Sequence, residues 1–100
     1  MPTDFDGLPA ADLVTRGIED AREGIPSIPA LLVSIAPTRL RSLGVDVKVL
    51  STEPEHALYE RLCADNVSDP YARYNSLVRE LDSFMEALSM RTNRVRNHRA

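Results

Sequence analysis

Between Tyr71 and Leu88 the larger apolar side chains recur at helical spacing. The series is Tyr71, Tyr74, Leu77, Val78, Leu81, Phe84, Met85 and Leu88, and each member after Tyr71 lies three or four residues beyond an earlier one. At about 100° per residue they cover an arc of about 140°, the wide stripe of a helix that faces a globular core. Asp69 is placed to cap this helix and Pro70 to be its first residue, with Asn66 to Asp69 as the turn before it. Beyond Leu88 the stripe fails, because Arg96 and Arg99 point in directions the core would need, and residues 91–100 are expected to fray.

A second amphipathic pattern runs from Pro9 to Glu23. Ala10, Leu13, Val14, Gly17, Ile18 and Ala21 share one face, while Asp12, Arg16, Glu19, Asp20 and Glu23 share the other. Pro9 suits a first turn, Asp12 complements the positive helix end, and Gly24 is placed to stop the helix. The small residues Ala10, Gly17 and Ala21 along the inward face let another helix approach closely, against the competing reading of a locally weakened helix.

From Ser27 to Gly44 no wholly polar face exists around Ile28, Leu31, Leu32, Val33 and Ile35, so a short, buried central helix is expected, with Ser27 as cap and Pro29 in the first turn. Pro37 begins a new turn with Leu40 and Leu43 inward, Arg39 and Arg41 outward, and Gly44 at its end. A strand is the alternative, since Leu31, Val33 and Ile35 also alternate. Val45, Val47 and Val49 alternate with Asp46 and Lys48 at a period of two, so this segment is extended. It is read as a connector that lays its valines on the helices, the alternative being a strand that pairs with a partner or a second copy. Thr52 and Glu55 have capping-box spacing with Pro54 between them, and the following helix, with Leu58, Tyr59, Leu62 and Cys63 on its buried side, runs to about Asp65.

These elements predict an all-α fold: a compact bundle of four or five helices with a long C-terminal amphipathic helix and one extended connector at about residues 45–50. The chain reads as a single helical domain over residues 1–90 followed by a basic tail over 91–100. The net charge of −3 conceals a segregation. Arg91, Arg94, Arg96 and Arg99 lie in a last stretch without any acid, and the remaining eight basic residues face 15 acids, so the body is near −7 and the tail near +4. An acidic body argues against broad nucleic-acid binding. The lone Cys63 cannot form an internal disulfide, and MPTDFDGLP lacks the basic start and apolar stretch of a secretory leader, which favours the cytoplasm. Residues 25–36, the longest nearly apolar run, fall well short of the roughly 20 residues that span a bilayer, so no membrane partner is expected.

Candidate chemistry is sparse. His56 and Cys63 share an edge of one helix, but seven residues separate them by about 10.5 Å, too far for proton transfer or for two ligands of one metal. Cys63 is expected as a small core residue and His56 as a partly exposed neighbour of Glu60. No CxxC, HExxH, calcium-loop or glycine-rich phosphate motif is present, so neither metal nor cofactor is expected. The carboxylates Glu19, Asp20, Glu23, Glu53 and Glu55 read as solvated helix faces, the first three with Arg16 and Arg22 within a turn.

The leading functional expectation is a small non-catalytic interaction or adaptor protein, able to self-associate, with Tyr71, Tyr74, Val45, Val47 and Val49 as candidate contact residues. The alternative is nucleic-acid association through Arg91, Arg94, Arg96 and Arg99. A small enzyme or toxin that draws His56, Glu53 or Glu55 into a cleft with another segment ranks below both.

Overall fold

The computed structural model describes Phe5 and residues 7–99, with side chains as far as Arg91. Among the described residues five helices follow one another: α1 (Ala11–Arg22), α2 (Ile28–Val33), α3 (Pro37–Ser42), α4 (Pro54–Ala64) and α5 (Pro70–Arg99). No strand occurs among the described residues, and the all-α architecture expected from the sequence is what forms.

Three of the helices stop by the same device. The residue after the C-cap turns left-handed at Gly24, Gly44 and Asn66, with φ of 76°, 88° and 57°. Its N–H and that of the next residue then reach back to the last turn: Gly24 to Ala21 and Ile25 to Asp20, Gly44 to Arg41 and Val45 to Leu40, Asn66 to Cys63 and Val67 to Leu62. This is the Schellman arrangement, and glycine or asparagine serves because other side chains disfavour positive φ.

Helix starts follow the expected punctuation less uniformly. Ser27 caps α2, its Oγ accepting the Ala30 N–H at 3.2 Å, and Asp69 caps α5 by accepting the Ala72 N–H at 3.2 Å. The capping box expected at Thr52 and Glu55 does not form. Pro54 is the first residue of α4, so the cap falls one position later, on Glu53, whose side chain makes no capping bond. Pro9 lies in the turn before α1, and Ala10, at φ 60°, stands at its N-cap.

α2 is the hub, packing against α1, α4 and α5. Ala30, Leu31, Leu32, Val33 and Ser34 are consecutive and all buried, which explains why this stretch shows no polar face. α1 comes onto α2 at Gly17, where an added Cβ would lie 2.4 Å from the Pro29 carbonyl oxygen and 2.9 Å from Val33 Cγ1. Close approach, and not a weakened helix, is therefore the role of Gly17. Ser27 locks the same junction, donating from Oγ to Asp20 Oδ2 at 2.7 Å, while Arg16 approaches that carboxylate at 4.0 Å.

The segment after α3 is the extended connector. Val45 and Val47 enter the core, and Val49 is 45% exposed. The buried Ser34 holds the far end: its Oγ donates to the Ala30 carbonyl at 2.8 Å and accepts the Leu50 N–H at 3.3 Å. Two of the three valines offered as interaction residues, Val45 and Val47, are thus corrected to core residues of the chain's own fold. A backbone without a pairing partner strand can be extended here because the helices bury its alternate side chains.

α5 closes the bundle. Leu77, Leu81, Phe84, Met85 and Leu88 are buried, and Phe5 meets Phe84 edge to face with centroids 5.1 Å apart. Leu88 is the last buried residue among the described side chains, and Met90 is 58% exposed. The backbone of α5 stays helical through Arg99. Arginine is a good helix former and favourable near a helix C-terminus, which fits a helix outlasting its apolar stripe.

Candidate interaction surfaces

The most distinctive exposed surface lies where α4 meets α5. Tyr59 of α4 and Tyr74 of α5 pack edge to face, centroids 6.5 Å apart at 74°, and beneath them Leu58, Leu62 and Leu77 are fully buried. Tyr71 is 66% exposed and Tyr59 38% exposed, while Tyr74 is half-buried. Cys63, one turn beyond Tyr59, is also exposed.

Two sequence expectations are corrected here. Tyr71 is not part of the buried stripe. It stands about 100° around α5 from the centre of the buried positions, at the rim of the apolar arc. Cys63 is not a core residue, and Tyr59 is not buried with Leu58 and Leu62. Those leucines define the inward direction of α4, from which Tyr59 and Cys63 are turned by about 80° and 120°. The sequence carried a usable signal: Glu55, Tyr59 and Cys63 form one column at four-residue spacing, and a carboxylate in the column marks it as facing water.

The electrostatics of this corner are negative. Tyr59 holds its phenol proton more tightly than usual, chiefly through its electrostatic interaction and hydrogen bond with Cys63, then through burial and Asp69. Tyr74 is shifted the same way, by burial first and by Glu55 second. Each shift opposes a second negative charge where acids already stand.

The other candidates are dispersed. His56 Nε2 lies 3.4 Å from Glu60 Oε1, both side chains about two-thirds in solvent, as expected of an i,i+4 pair. Glu53 and Glu55 are exposed. A shallow cleft of about 280 Å³ lies elsewhere, between the approach to α1 and the outer face of α5, lined by Pro9, Ala10, Ser76, Arg79, Glu80 and Ser83. It brings together none of His56, Cys63, Glu53 and Glu55. Among the described residues no three of histidine, cysteine, aspartate or glutamate gather closely enough to hold a metal ion. Of the acids on α1, Asp20 is drawn into the α1–α2 junction, and Glu19 and Glu23 stay exposed.

Among the arginines singled out in the tail, Arg91 is half-buried and engaged, whereas the side chains of Arg94, Arg96 and Arg99 lie outside the described residues. The structure therefore brings Tyr74 against Tyr59, which the sequence had assigned to the core, and Tyr71 lies one turn before Tyr74 on α5. Val49 is the one valine of the connector left at the surface. Among the described residues no helix is long and apolar enough to cross a membrane. No protein-family model matches this chain, and no curated protein and no solved structure matches it either.

Proposed function

We propose that this chain is a non-catalytic helical interaction protein that engages another protein through the tyrosine corner of α4 and α5. The observation that carries the reading is the exposure of Tyr59 and Tyr71 above a fully buried leucine layer. A tyrosine supplies a large apolar face and a polar tip at low conformational cost, which is why the residue is enriched where proteins meet. Here the rings sit on two helices fixed by Leu58, Leu62 and Leu77, so the surface is rigid before any partner arrives. The side chains that could perform chemistry support the same reading, since His56 faces Glu60 in solvent and Cys63 stands beside a tyrosine whose proton is held more tightly.

Light scattering over a range of concentrations, together with recovery of bound proteins from cell extract, tests the proposal. Tyr59→Ser with Tyr71→Ser is expected to abolish whatever association the parent chain shows while leaving its helical circular dichroism intact. A parent chain that stays monomeric and recovers no protein would count decisively against it.

A second reading, nucleic-acid association through Arg91, Arg94, Arg96 and Arg99, is favoured by one observation: α5 remains helical to Arg99 and so carries an acid-free basic segment beyond the buried stripe. Binding of an oligonucleotide is then expected to weaken steeply with salt and to vanish on removal of residues 91–100. Binding unchanged by that truncation would reject it.

A further inference from the structure

Resting on the reading that the α4–α5 corner is an interaction surface, we propose that its partner is the arginine-bearing end of α5 from a second copy of this chain. Three features lead there: chemistry, charge and reach.

The chemistry of the corner suits a guanidinium. Tyr71 and Tyr59 are exposed, and arginine stacks on tyrosine rings while its fork of donors pairs with carboxylates. Glu55 and Asp69 supply those carboxylates; both are exposed, and both lie close enough to the tyrosine pair to oppose its ionisation. The complementary charge is in the same chain, where Arg94, Arg96 and Arg99 occupy a stretch free of acids.

Reach decides between copies. Tyr71 and Arg94 belong to one continuous helix, and 23 residues at about 1.5 Å each place them about 35 Å apart along it. A helix does not bend back on itself over that span, so while α5 is intact its basic end meets a tyrosine corner only on another molecule. Every copy carries both halves of the contact, so a pair in which each lends its basic end and receives the other's satisfies both at once, the arrangement of a closed two-fold dimer.

The test is analytical ultracentrifugation of the full chain in low salt and at about 0.5 M salt, where screening shortens to a few ångströms. The expected result is concentration-dependent association in low salt that is lost in high salt. Arg94→Glu with Arg96→Glu and Arg99→Glu is expected to weaken it at least about tenfold, the attraction to Glu55 and Asp69 being turned into repulsion. Glu55→Lys with Asp69→Asn is expected to do likewise, the asparagine keeping the capping oxygen of α5. Mixing the two variants should restore association, because each then carries the charge the other lacks. A second measurement uses the single cysteine already at the corner: with Asn97→Cys in an otherwise native chain, oxidation should yield an intermolecular disulfide between Cys63 and the new thiol, identified by mass spectrometry.

A chain that is monomeric at every concentration in low salt overturns the proposal, as does association indifferent to both charge reversals. A monomeric chain whose basic end instead holds an oligonucleotide assigns that segment to nucleic acid and overturns it too. If the chain is monomeric yet a different protein is lost on Tyr71→Ser, the second-copy assignment falls and the corner stands as an interaction surface.

Discussion

The contact of α1 with α2 and the contact of α4 with α5 are both helix pairs, and they are finished in opposite ways. At the first, Gly17, Ala21, Ala30 and Val33 are buried, the backbones nearly touch, and a hydrogen bond from Ser27 to Asp20 ties the two helices together. At the second, leucines fill the interior and large aromatic side chains rim the outside, half in water. At Gly17 the first contact has no room for a side chain without moving a helix. The second has exposed side chains, and a surface that tolerates change without unfolding is where binding can be built.

The sharpest way to break this contrast is Gly17→Val. The added side chain would start within 2.4 Å of the Pro29 carbonyl, so α1 and α2 must separate, and a loss of about 3 kcal/mol is expected, read as a fall of more than about 10 °C in Tm. A change below about 0.5 kcal/mol would mean that the two helices are not seated as closely as described.

Ser34→Ala is expected to cost less, about 1–2 kcal/mol in denaturant unfolding, because the Leu50 N–H loses its acceptor and the connector its pin to α2. Hydrogen exchange at Leu50 should rise in the variant. If it does not, the connector is held by Val45 and Val47 alone.

At the corner, Tyr71→Ser is expected to shift stability by no more than about 0.5 kcal/mol, since a side chain 66% in solvent gives up little burial. A loss above about 1.5 kcal/mol would make Tyr71 a structural residue and erase the contrast between the two contacts.

The smallest effect is one of pH. Tyr59 and Tyr74 have folded-state pKa values raised above the ordinary 10.0, through Cys63 and burial respectively. A raised value means that the folded state keeps the proton longer, so this contribution is whole below pH 10.0 and disappears as pH climbs through the folded values. Stability should therefore decline in strongly alkaline solution, and Tyr74→Phe should flatten the decline. Phenolate absorbance rising at pH 10.0 or below for both residues would sink this expectation.

How much of the molecule was legible in the chain follows from which signals are local. Gly24, Gly44, Ser27, Pro37, Asp69 and Pro70 stand where their backbone preferences place them, because a left-handed residue, a missing N–H or a short side-chain acceptor acts within one turn. Thr52 is the instructive exception. Its spacing to Glu55 was right for a capping box, but Pro54 fixed the first helical residue one place later.

The corner was less legible. Tyr71 and Cys63 belong to apolar sets by composition, yet whether the rim of a stripe is covered depends on how far the neighbouring helix extends over it, and periodicity does not carry that distance. Ser34 likewise gave no sign of its role, because its partner Leu50 is 16 residues away.

The sequence by itself determined that this chain is helical, where most of its helices begin and end, which side of α5 faces inward, and that the charge is split between an acidic body and a basic end. Those properties come from dihedral preference, periodicity and composition, each of which acts over a few residues or over none. Only the tertiary structure decided that Gly17 admits a backbone, that Val45 and Val47 are covered, and that Tyr59 and Tyr71 are left in water. Such outcomes depend on which helix lies against which, and packing distance is a property of pairs of elements that no single stretch of chain contains.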